Sequence, residues 1–250
     1  MINKKHCLKL CLMSDMHGDL PVFDEKVDVV GIAGDIVPLE VQNDTVKSIV
    51  WFTRKFVPWA ESLNCQKVLL VGGNHDRFLQ RIVSDCFENI TFKDDKDYIE
   101  YSSAELIKSK LILPKKIVCL QDTVYSFNHV KFYGTPWCPD FPNWAFYKSS
   151  SDLEKVFNKI PDDCDVLITH APGTENDMGT SMWNPAMPMY GCRELTEKVK
   201  RSGIKLWAAG HVHTGNHKVG LLSNGVTQIV NVSLKDEDYR VNFEPLVIEI

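Results

Sequence analysis

The sequence predicts an α/β protein whose buried strands carry polar residues at their carboxyl ends. One observation is a series of short apolar runs that stop at glycine or at a polar side chain, as Val68–Val71 stops at Gly72. Another is the segment Asp44–Leu63, in which apolar residues recur with helical spacing. The length of 250 residues suits one large core, so we expect a single domain over residues 1–250.

Apolar runs and turn residues divide the chain into predicted strands and helices. The predicted strands are Leu8–Met13, Val27–Ala33, Val68–Val71, Ile117–Leu120, Thr123–Asn128, Val130–Tyr133, Asp165–Thr169, Leu206–Ala209, Val219–Leu222, Thr227–Val232 and Leu246–Ile250. The predicted helices are Asp44–Leu63, Arg77–Phe87, Asp152–Ile160 and Arg193–Arg201. The alternating pattern of residues 117–133 indicates a meander in a second sheet, and Pro58 is expected to kink or end the first helix.

Composition limits the class of protein and its partners. Hydrophobic residues make up 44% of the chain and charged residues 24%, as in soluble globular proteins. The net charge of −5 argues against a stable nucleic-acid partner, and no apolar run is long enough to span a membrane. The eight cysteines form no CxxC pair, so we expect free thiols and a cytoplasmic location. Met1–Met13 resembles a signal peptide, but Lys9 interrupts its apolar stretch and no small-residue cleavage site follows.

Five of the apolar strands end in side chains that can bind a metal ion. These residues are Asp15 and His17, Asp35, Asn74 and His75, His170, and His211 and His213. Each ending alone is explained as well by an ordinary turn, because Gly, Asn and Asp favour turns. Five such endings in one chain are much harder to explain in that way. Together they predict a metal centre at the carboxyl ends of the strands.

The donor types indicate the metals and the substrate. Two Asp, one Asn and four His, without thiolate, suit Mn²⁺, Fe or Zn²⁺ and disfavour a cysteine-type zinc site or an all-oxygen calcium site. Seven ligands are too many for one ion but suit two, if one carboxylate bridges them. Two divalent ions, two carboxylates and a bridging hydroxide leave one net positive charge, which attracts a phosphate group. We therefore expect two divalent ions, with Mn²⁺ favoured, and a small phosphoester substrate.

In their order along the chain, these residues resemble the five-block signature of the calcineurin-like metallophosphoesterases. The blocks are Asp15-x-His17, Gly34-Asp35, Gly73-Asn74-His75-Asp76, His170 and Gly210-His211-x-His213. The resemblance implies a four-layer αββα sandwich, with two mixed β-sheets between helices. It implies one ion held by Asp15, His17, Asp35 and His213, and a second held by Asp35, Asn74, His170 and His211. It also implies that His75 approaches the leaving-group oxygen and that Asp76 orients the ring of His75.

A narrower resemblance concerns the reaction. Tyr133-Gly134-Thr135-Pro136-Trp137, Phe141–Phe146 and Asp165–Pro172 are similar to the metallophosphoesterase-domain-containing branch, whose members are linked to phosphodiester and cyclic-nucleotide hydrolysis. Protein phosphatases of the superfamily match less well, since no Arg follows Gly34-Asp35. We therefore predict a phosphodiesterase that hydrolyses a nucleotide-type diester, cyclic diesters included, by attack of a metal-bridged hydroxide. The alternatives are a phosphomonoesterase, including one acting on phosphoproteins, and a non-catalytic metal-binding scaffold.

Two loops are predicted to contact the rest of the substrate. Trp137–Phe146 and Met178–Tyr190 are rich in Trp, Met, Pro and aromatic residues and carry few charges, which suits a flat base or another apolar group. We expect Trp137 or Trp183 to contact a nucleoside-like or aromatic leaving group. The alternative is that both tryptophans only pack the loops onto the core. The sequence leaves the oligomeric state open.

Overall fold

The strands and helices of the computed structural model lie within residues 7–83, 92–93, 98–99, 113–139, 142–180, 190–213 and 217–250, which are the residues it describes. The strands are β1 Lys9–Met13, β2 Val29–Ala33, β3 Lys67–Val71, β4 Phe92–Lys93, β5 Tyr98–Ile99, β6 Ile117–Cys119, β7 Thr123–Phe127, β8 Val130–Thr135, β9 Val166–Thr169, β10 Leu206–Ala209, β11 Gly220–Leu221, β12 Gln228–Asn231 and β13 Leu246–Glu249. The helices are α1 Thr45–Trp51, α2 Val57–Ser62, α3 Arg77–Val83, α4 Ser150–Phe157 and α5 Arg193–Lys200. The last four residues of the predicted helix Arg77–Phe87 lie outside the described residues.

Two mixed β-sheets form the centre of the molecule. The first has the order β13-β1-β2-β3-β6, and its pairs are parallel except for β13 with β1. The second has the order β11-β12-β10-β9-β8-β7, in which the edge strands β11 and β7 are antiparallel to their neighbours. The predicted meander over residues 117–133 is wrong in one respect. Its first strand, β6, pairs with β3 in the first sheet, and only β7 and β8 belong to the second.

Alternation along the parallel strands divides the core into layers. In β1, Leu10 and Leu12 face the second sheet, whereas Cys11 and Met13 pack with the aromatic residues of the helices α1 to α3. On the outer face of the second sheet, Trp207 packs with side chains of α4 and α5. Both faces of each sheet are therefore covered, as parallel strands require. The predicted four-layer αββα sandwich is confirmed.

The first predicted helix begins as expected and changes its hydrogen-bonding pattern part-way. Asp44 is its N-cap, and its carboxylate accepts hydrogen bonds from the backbone N–H groups of Val46 at 3.0 Å and Lys47 at 3.1 Å. A π-helical stretch, Phe52–Phe56, joins α1 to α2 without a break, and Pro58 lies in the first turn of α2. Proline lacks an N–H for the helical ladder, and its ring crowds the preceding turn. The π turn lies directly before Pro58, and the helix continues past it to Ser62 rather than ending there.

A glycine lies where the two sheets touch. A Cβ atom on Gly31 of β2 would lie 2.8 Å from Cδ2 of Leu12 and 3.0 Å from Cδ1 of Ile168, which belongs to β9 of the second sheet. These distances are shorter than ordinary carbon–carbon contacts, so a side chain at position 31 would have to displace the ends of the Leu12 and Ile168 side chains.

Among the residues that the structure describes, no helix has the length and apolar character needed to cross a membrane.

Candidate metal centre

The carboxyl ends of five parallel strands meet at one edge of the sandwich. Asp15, after β1, donates its backbone N–H to the carbonyl of Gly34, after β2, at 3.0 Å. His170, after β9, places Nδ1 2.8 Å from the carbonyl oxygen of Ala33 in the other sheet. The backbone N–H of His211 donates to the Asp15 carboxylate at 2.9 Å. The structure therefore brings together side chains from both sheets that are up to 198 positions apart in sequence.

Three of the predicted ligands form a first donor group: Asp15, His17 and His213. Their donor atoms all lie within 4.8 Å of one another, and Nε2 of His213 is 3.3 Å from Oδ1 of Asp15. Nδ1 of His213 is 3.1 Å from the carbonyl oxygen of Asp236, which orients the ring. This group combines one carboxylate with two imidazoles.

Three other predicted ligands form a second donor group: Asn74, His170 and His211. Oδ1 of Asn74 lies 2.8 Å from Nε2 of His170 and 2.8 Å from Nδ1 of His211. The Asp35 carboxylate lies between the two groups, with Oδ2 3.3 Å from Nε2 of His170 and 3.9 Å from Nε2 of His17. All seven predicted ligands are thus in one connected cluster.

The local backbone is unusual where these side chains leave the strands. Asp15, His17, Asp35 and His211 have φ angles of 52°, 43°, 54° and 71°, in the left-handed region that L-residues rarely adopt. Gly34, at φ 96°, precedes Asp35, and a Cβ atom on it would lie 2.6 Å from Nδ1 of His170. Such backbone conformations concentrate at functional sites, where the surrounding structure over-determines them.

Burial and mutual charge shift the pKa values of the donors. Burial alone would raise the pKa of Asp15, but the hydrogen bond and charge of His213 lower it to about 2. Burial would likewise lower the pKa of His170, but the Asp35 carboxylate raises it to about 9. For His17 and His211 the effect of burial is the largest, and it lowers their pKa values to about 4 and about 3. The cluster therefore contains ionised carboxylates that attract cations.

His17 provides a direct test of whether these residues fit a metal ion. Its side chain is only 2% exposed, yet within the described residues neither ring nitrogen has a hydrogen-bond partner. A buried polar group without a partner costs about 1–3 kcal/mol, so such groups are rare in native proteins. Two buried carboxylates close to His17 supply the charge that a divalent cation needs. The donor set therefore fits divalent metal ions.

His75 and Asp76 lie beside the donor groups, but the expected role of Asp76 needs correction. The ring of His75 is 4.7 Å from that of His17, with Nε2 3.8 Å from Oδ2 of Asp35. Nδ1 of His75 contacts Oε1 of Gln42, so Gln42 orients this ring. No pattern in the sequence indicates Gln42, which lies in a turn 33 positions before His75.

Asp76 accepts hydrogen bonds from three backbone N–H groups instead of contacting the His75 ring. The donors are Gly73 at 2.9 Å and Ile36 and Val37 at 3.1 Å each. Because Asp76 is fully buried, these bonds fasten the loop after β3 to the loop after β2. Burial and the nearby Asp35 raise the pKa of Asp76 to about 7. Asp76 thus holds the backbone of the centre in place.

Trp137 does not line the cavity beside the donors, which corrects the expectation that it contacts substrate. Its Nε1–H donates to Asp122 at 2.7 Å, its ring packs on Phe146, and Nζ of Lys148 lies 3.9 Å from the ring centre. These contacts anchor the loop, which was the alternative interpretation of this residue. The other predicted contact residue, Trp183, lies outside the described residues.

Three other aromatic residues surround a cavity of about 260 Å³ above the donor groups: Trp144, Tyr190 and Tyr239. The ring of Trp144 is 4.5 Å from that of His75, and the ring of Tyr190 is 5.9 Å from that of His211. Trp144 and Tyr190 belong to the two loops that the sequence singled out. Tyr239 lies in a charged stretch without apolar periodicity, and nothing in the sequence pattern indicated it.

Comparison with known proteins now identifies the chain. The sequence model of the calcineurin-like phosphoesterases matches residues 8–215. The chain belongs to the calcineurin-like phosphoesterase family. Membership in this family makes it a metal-dependent hydrolase of phosphoric esters with a divalent-metal centre, and the His and Asp clusters described above are the candidates for that centre.

Relatives of this calcineurin-like phosphoesterase occur in mammals. Metallophosphoesterase domain-containing protein 1 from human and from mouse are each 29% identical to the chain over 249 residues, covering 95% of this chain and 69% of each relative. A solved structure described as a novel archaeal phosphodiesterase aligns with 96% of this chain and 100% of its own, at 15% identity and a TM-score of 0.41.

Proposed function

We propose that this calcineurin-like phosphoesterase is a dinuclear phosphodiesterase that acts on diesters carrying an aromatic, nucleotide-type group. In this proposal the first donor group and Asp35 hold one ion, and the second donor group and Asp35 hold the other. The observation that carries the proposal is that both donor groups, with Asp35 between them, lie together and contribute residues to the wall of one cavity: His213 from the first group, and Asn74 and His211 from the second. Oδ2 of Asp35 lies within 3.9 Å of histidine nitrogens from each group, which suits a bridging carboxylate.

In this proposal the side chains around the ions hold a proton for the leaving group and position the ligands. When bound, the two divalent ions supply positive charge to the phosphoryl group and lower the pKa of water that attacks it. Gln42 accepts the Nδ1 proton of His75, so only the imidazolium form of His75 has a second proton, on Nε2, that it can give to the leaving-group oxygen. Asp76 holds the loops after β2 and β3 together and thereby fixes both Asp35 and His75.

The charge of the cavity wall favours a diester over a monoester. Among the described residues that line the cavity there is no Lys and no Arg, and Glu237 adds a carboxylate. A monoester dianion would need further cationic groups beyond the ions, whereas a diester carries one negative charge. This observation supports the phosphodiesterase over the phosphomonoesterase.

The aromatic part of the wall favours a flat group on the substrate. The rings of Trp144 and Tyr239 lie 4.5 Å and 6.5 Å from the ring of His75. Stacking of a base on an aromatic side chain contributes about 1–3 kcal/mol. A leaving group that receives a proton from His75 therefore lies next to surfaces on which a base can stack.

Three further parts of the proposal have support from the sequence alone. Mn²⁺ is the favoured metal, at least for the first donor group, because carboxylate and imidazole ligands suit it. The scattered cysteines favour a cytoplasmic location, and the length favours a single domain.

The experiment that tests the proposal is a substrate panel with the Mn²⁺-loaded protein. We expect turnover of bis(p-nitrophenyl) phosphate and of nucleotide diesters to exceed that of p-nitrophenyl phosphate. Faster turnover of the monoester would identify a phosphomonoesterase. Full metal content without turnover of any substrate in the panel would identify a metal-binding scaffold.

Replacement of Trp144 tests the aromatic subsite. Trp144→Ala should raise KM for a nucleotide diester by about tenfold, because it removes one stacking surface. KM for dimethyl phosphate, which has no ring, should stay unchanged. Trp59→Ala is the matched control, since Trp59 donates to the carbonyl of Pro21 far from the centre. Equal losses on both substrates would show that Trp144 is structural.

A further inference from the structure

A buried thiol lies against the second donor group. Cys138 is 0% exposed, and its Sγ forms a cluster with one ring nitrogen of His170 and one of His211, all within 4.8 Å of one another. The sequence pattern favoured a centre without thiolate, because the donors at the strand endings are Asp, Asn and His. Neither the family signature nor the strand endings include this residue.

The distances match a shared ion. Zinc–sulfur bonds measure about 2.3 Å and zinc–nitrogen bonds about 2.1 Å, so two such ligands of one ion lie at most about 4.4 Å apart. The sulfur of Cys138 and the two imidazole nitrogens all lie within 4.8 Å of one another, which is close to this span.

The loop holds Cys138 in place through its backbone. The N–H of Cys138 donates to the carbonyl of Phe146 at 2.9 Å, and its own carbonyl accepts from Lys148 at 3.2 Å. The preceding residue, Trp137, is fastened to Asp122. The tryptophan that we expected to touch substrate thus supports the position of the next residue.

The thiol itself has only a weak partner in the surrounding chain. Its Sγ lies 3.6 Å from the carbonyl oxygen of Pro136, which is a long contact even for sulfur. A thiol is also a weak donor, so little is lost when the sulfur turns to another partner.

We propose that Cys138 is a further ligand of the ion held by Asn74, His170 and His211. This inference rests on the proposed metal centre and concerns the chemical character of one half of it. On coordination the S–H bond breaks, a sulfur–metal bond forms and the proton leaves to solvent. The second donor group then binds a softer ion, Zn²⁺, Co²⁺ or Fe²⁺, in preference to Mn²⁺, whereas the first keeps its carboxylate and imidazole character.

Co²⁺ absorption spectroscopy tests this directly. Wild-type protein titrated with Co²⁺ should show a near-ultraviolet thiolate-to-cobalt charge-transfer band together with visible ligand-field bands. Cys138→Ser should lose the charge-transfer band and keep the visible bands. Its affinity for Zn²⁺ should fall by at least about tenfold. Loss of a residue that only supports a ligand already lowers metal affinity by about that factor, and Cys138 is proposed as a ligand itself. Its affinity for Mn²⁺ should change less than twofold.

Cys164→Ser is the matched control, because Cys164 is buried before β9, at the opposite end of the same sheet. It should keep the charge-transfer band. A wild-type protein that binds two Co²⁺ without this band would overturn the inference and leave the dinuclear proposal intact. A band that persists in Cys138→Ser would do the same. A wild-type protein that binds no Co²⁺ would overturn both, and this spectrum decides the question even where the serine variant does not fold.

Discussion

The two donor groups differ in how firmly the surrounding chain holds them. In the second group, His170 is fully buried, with Nδ1 against the carbonyl of Ala33 and Nε2 against Asn74, both at 2.8 Å. In the first group, His213 is fixed through Asp236, but neither nitrogen of His17 has a partner within the described residues. The second group is therefore arranged before an ion arrives, whereas the first depends on the ion for its order. Preorganised ligands bind more tightly, so we expect the second group to fill first.

The largest effect should come from the residue that both groups share. Asp35→Asn removes the negative charge between them, so we expect at most one weakly held ion per chain in saturating Mn²⁺. Turnover should fall by on the order of 10³-fold or more, as when a main electrostatic group is lost from an active site. Elemental analysis after gel filtration measures the ion content. Asp163→Asn is the control, since this carboxylate is 73% exposed in a surface ion pair. Two firmly bound ions in Asp35→Asn would show that the centre does not depend on a bridge.

His75 lies beside both groups and belongs to neither. His75→Ala should keep both ions while turnover falls by about 10²–10⁴-fold, the usual contribution of a general acid. The loss should shrink for a p-nitrophenol leaving group, which needs no proton. Gln42→Ala should show a smaller loss with the same dependence on the leaving group, because Gln42 only orients the ring. Loss of metal in His75→Ala would place this residue among the ligands.

The free energy of unfolding of the metal-free protein should respond differently to substitutions in the two donor groups. His170→Ala removes one of two hydrogen-bond partners from the Ala33 carbonyl and one of two from the Asn74 side chain, so the free energy of unfolding should fall by about 2–3 kcal/mol. His17→Ala removes nitrogens that have no partner and should change it by less than about 1 kcal/mol. Urea unfolding of both variants in the presence of a chelator provides the comparison. Equal losses would show that the first group is held as firmly as the second.

The smallest effect is a pH dependence of stability with opposite signs for His170 and His17. Burial lowers the pKa of His170, but the Asp35 carboxylate raises it further, to about 9, against 6.5 in the unfolded chain. Its stabilisation of the metal-free protein is complete below pH 6.5 and is lost as the pH rises to about 9. Burial lowers the pKa of His17 to about 4, so the unfolded state binds the extra proton between pH 6.5 and 4, and stability falls as the pH is lowered.

Two substitutions should remove these slopes one at a time. His170→Asn should flatten the alkaline side of the stability curve, and His17→Asn should flatten the acidic side. The measurement is the urea midpoint of the chelated protein as a function of pH. A single slope that both variants share would mean that the two histidines titrate as one unit.

The strand endings were predictable because their signal is local. An apolar run followed by Gly34-Asp35 or by Gly73-Asn74-His75 places a donor at the carboxyl end of a strand wherever that strand lies in the sheet. The residues that support these donors are different. Gln42, Cys138 and Tyr239 reach the centre from loops, and only the packing of both sheets brings them there.

Two errors have the same physical origin. Asp76 follows His75 directly, and adjacency suggested a contact between their side chains. The buried carboxylate instead satisfies three backbone N–H groups, two of them on the loop 36–37. Trp137 likewise belongs to an aromatic loop beside the centre, but its indole N–H donates to Asp122 and it is not among the residues that line the cavity. Hydrogen-bond partners decided both orientations, and sequence patterns do not reveal such partners.

Gly31 makes the spacing of the sheets a determinant of the chemistry. Each proposed ion takes ligands from strand ends of both sheets, so any change in the gap between the sheets changes the distance between ligands. Gly31 lies four residues before Asp35, about 13 Å away along the strand, in a wholly apolar region. A methyl group added there would meet the side-chain ends of Leu12 in one sheet and Ile168 in the other, and any part of the clash that these ends do not absorb would widen the gap between the sheets. The apolar interior of the sandwich therefore sets the separation of the ligands as well as the stability of the fold.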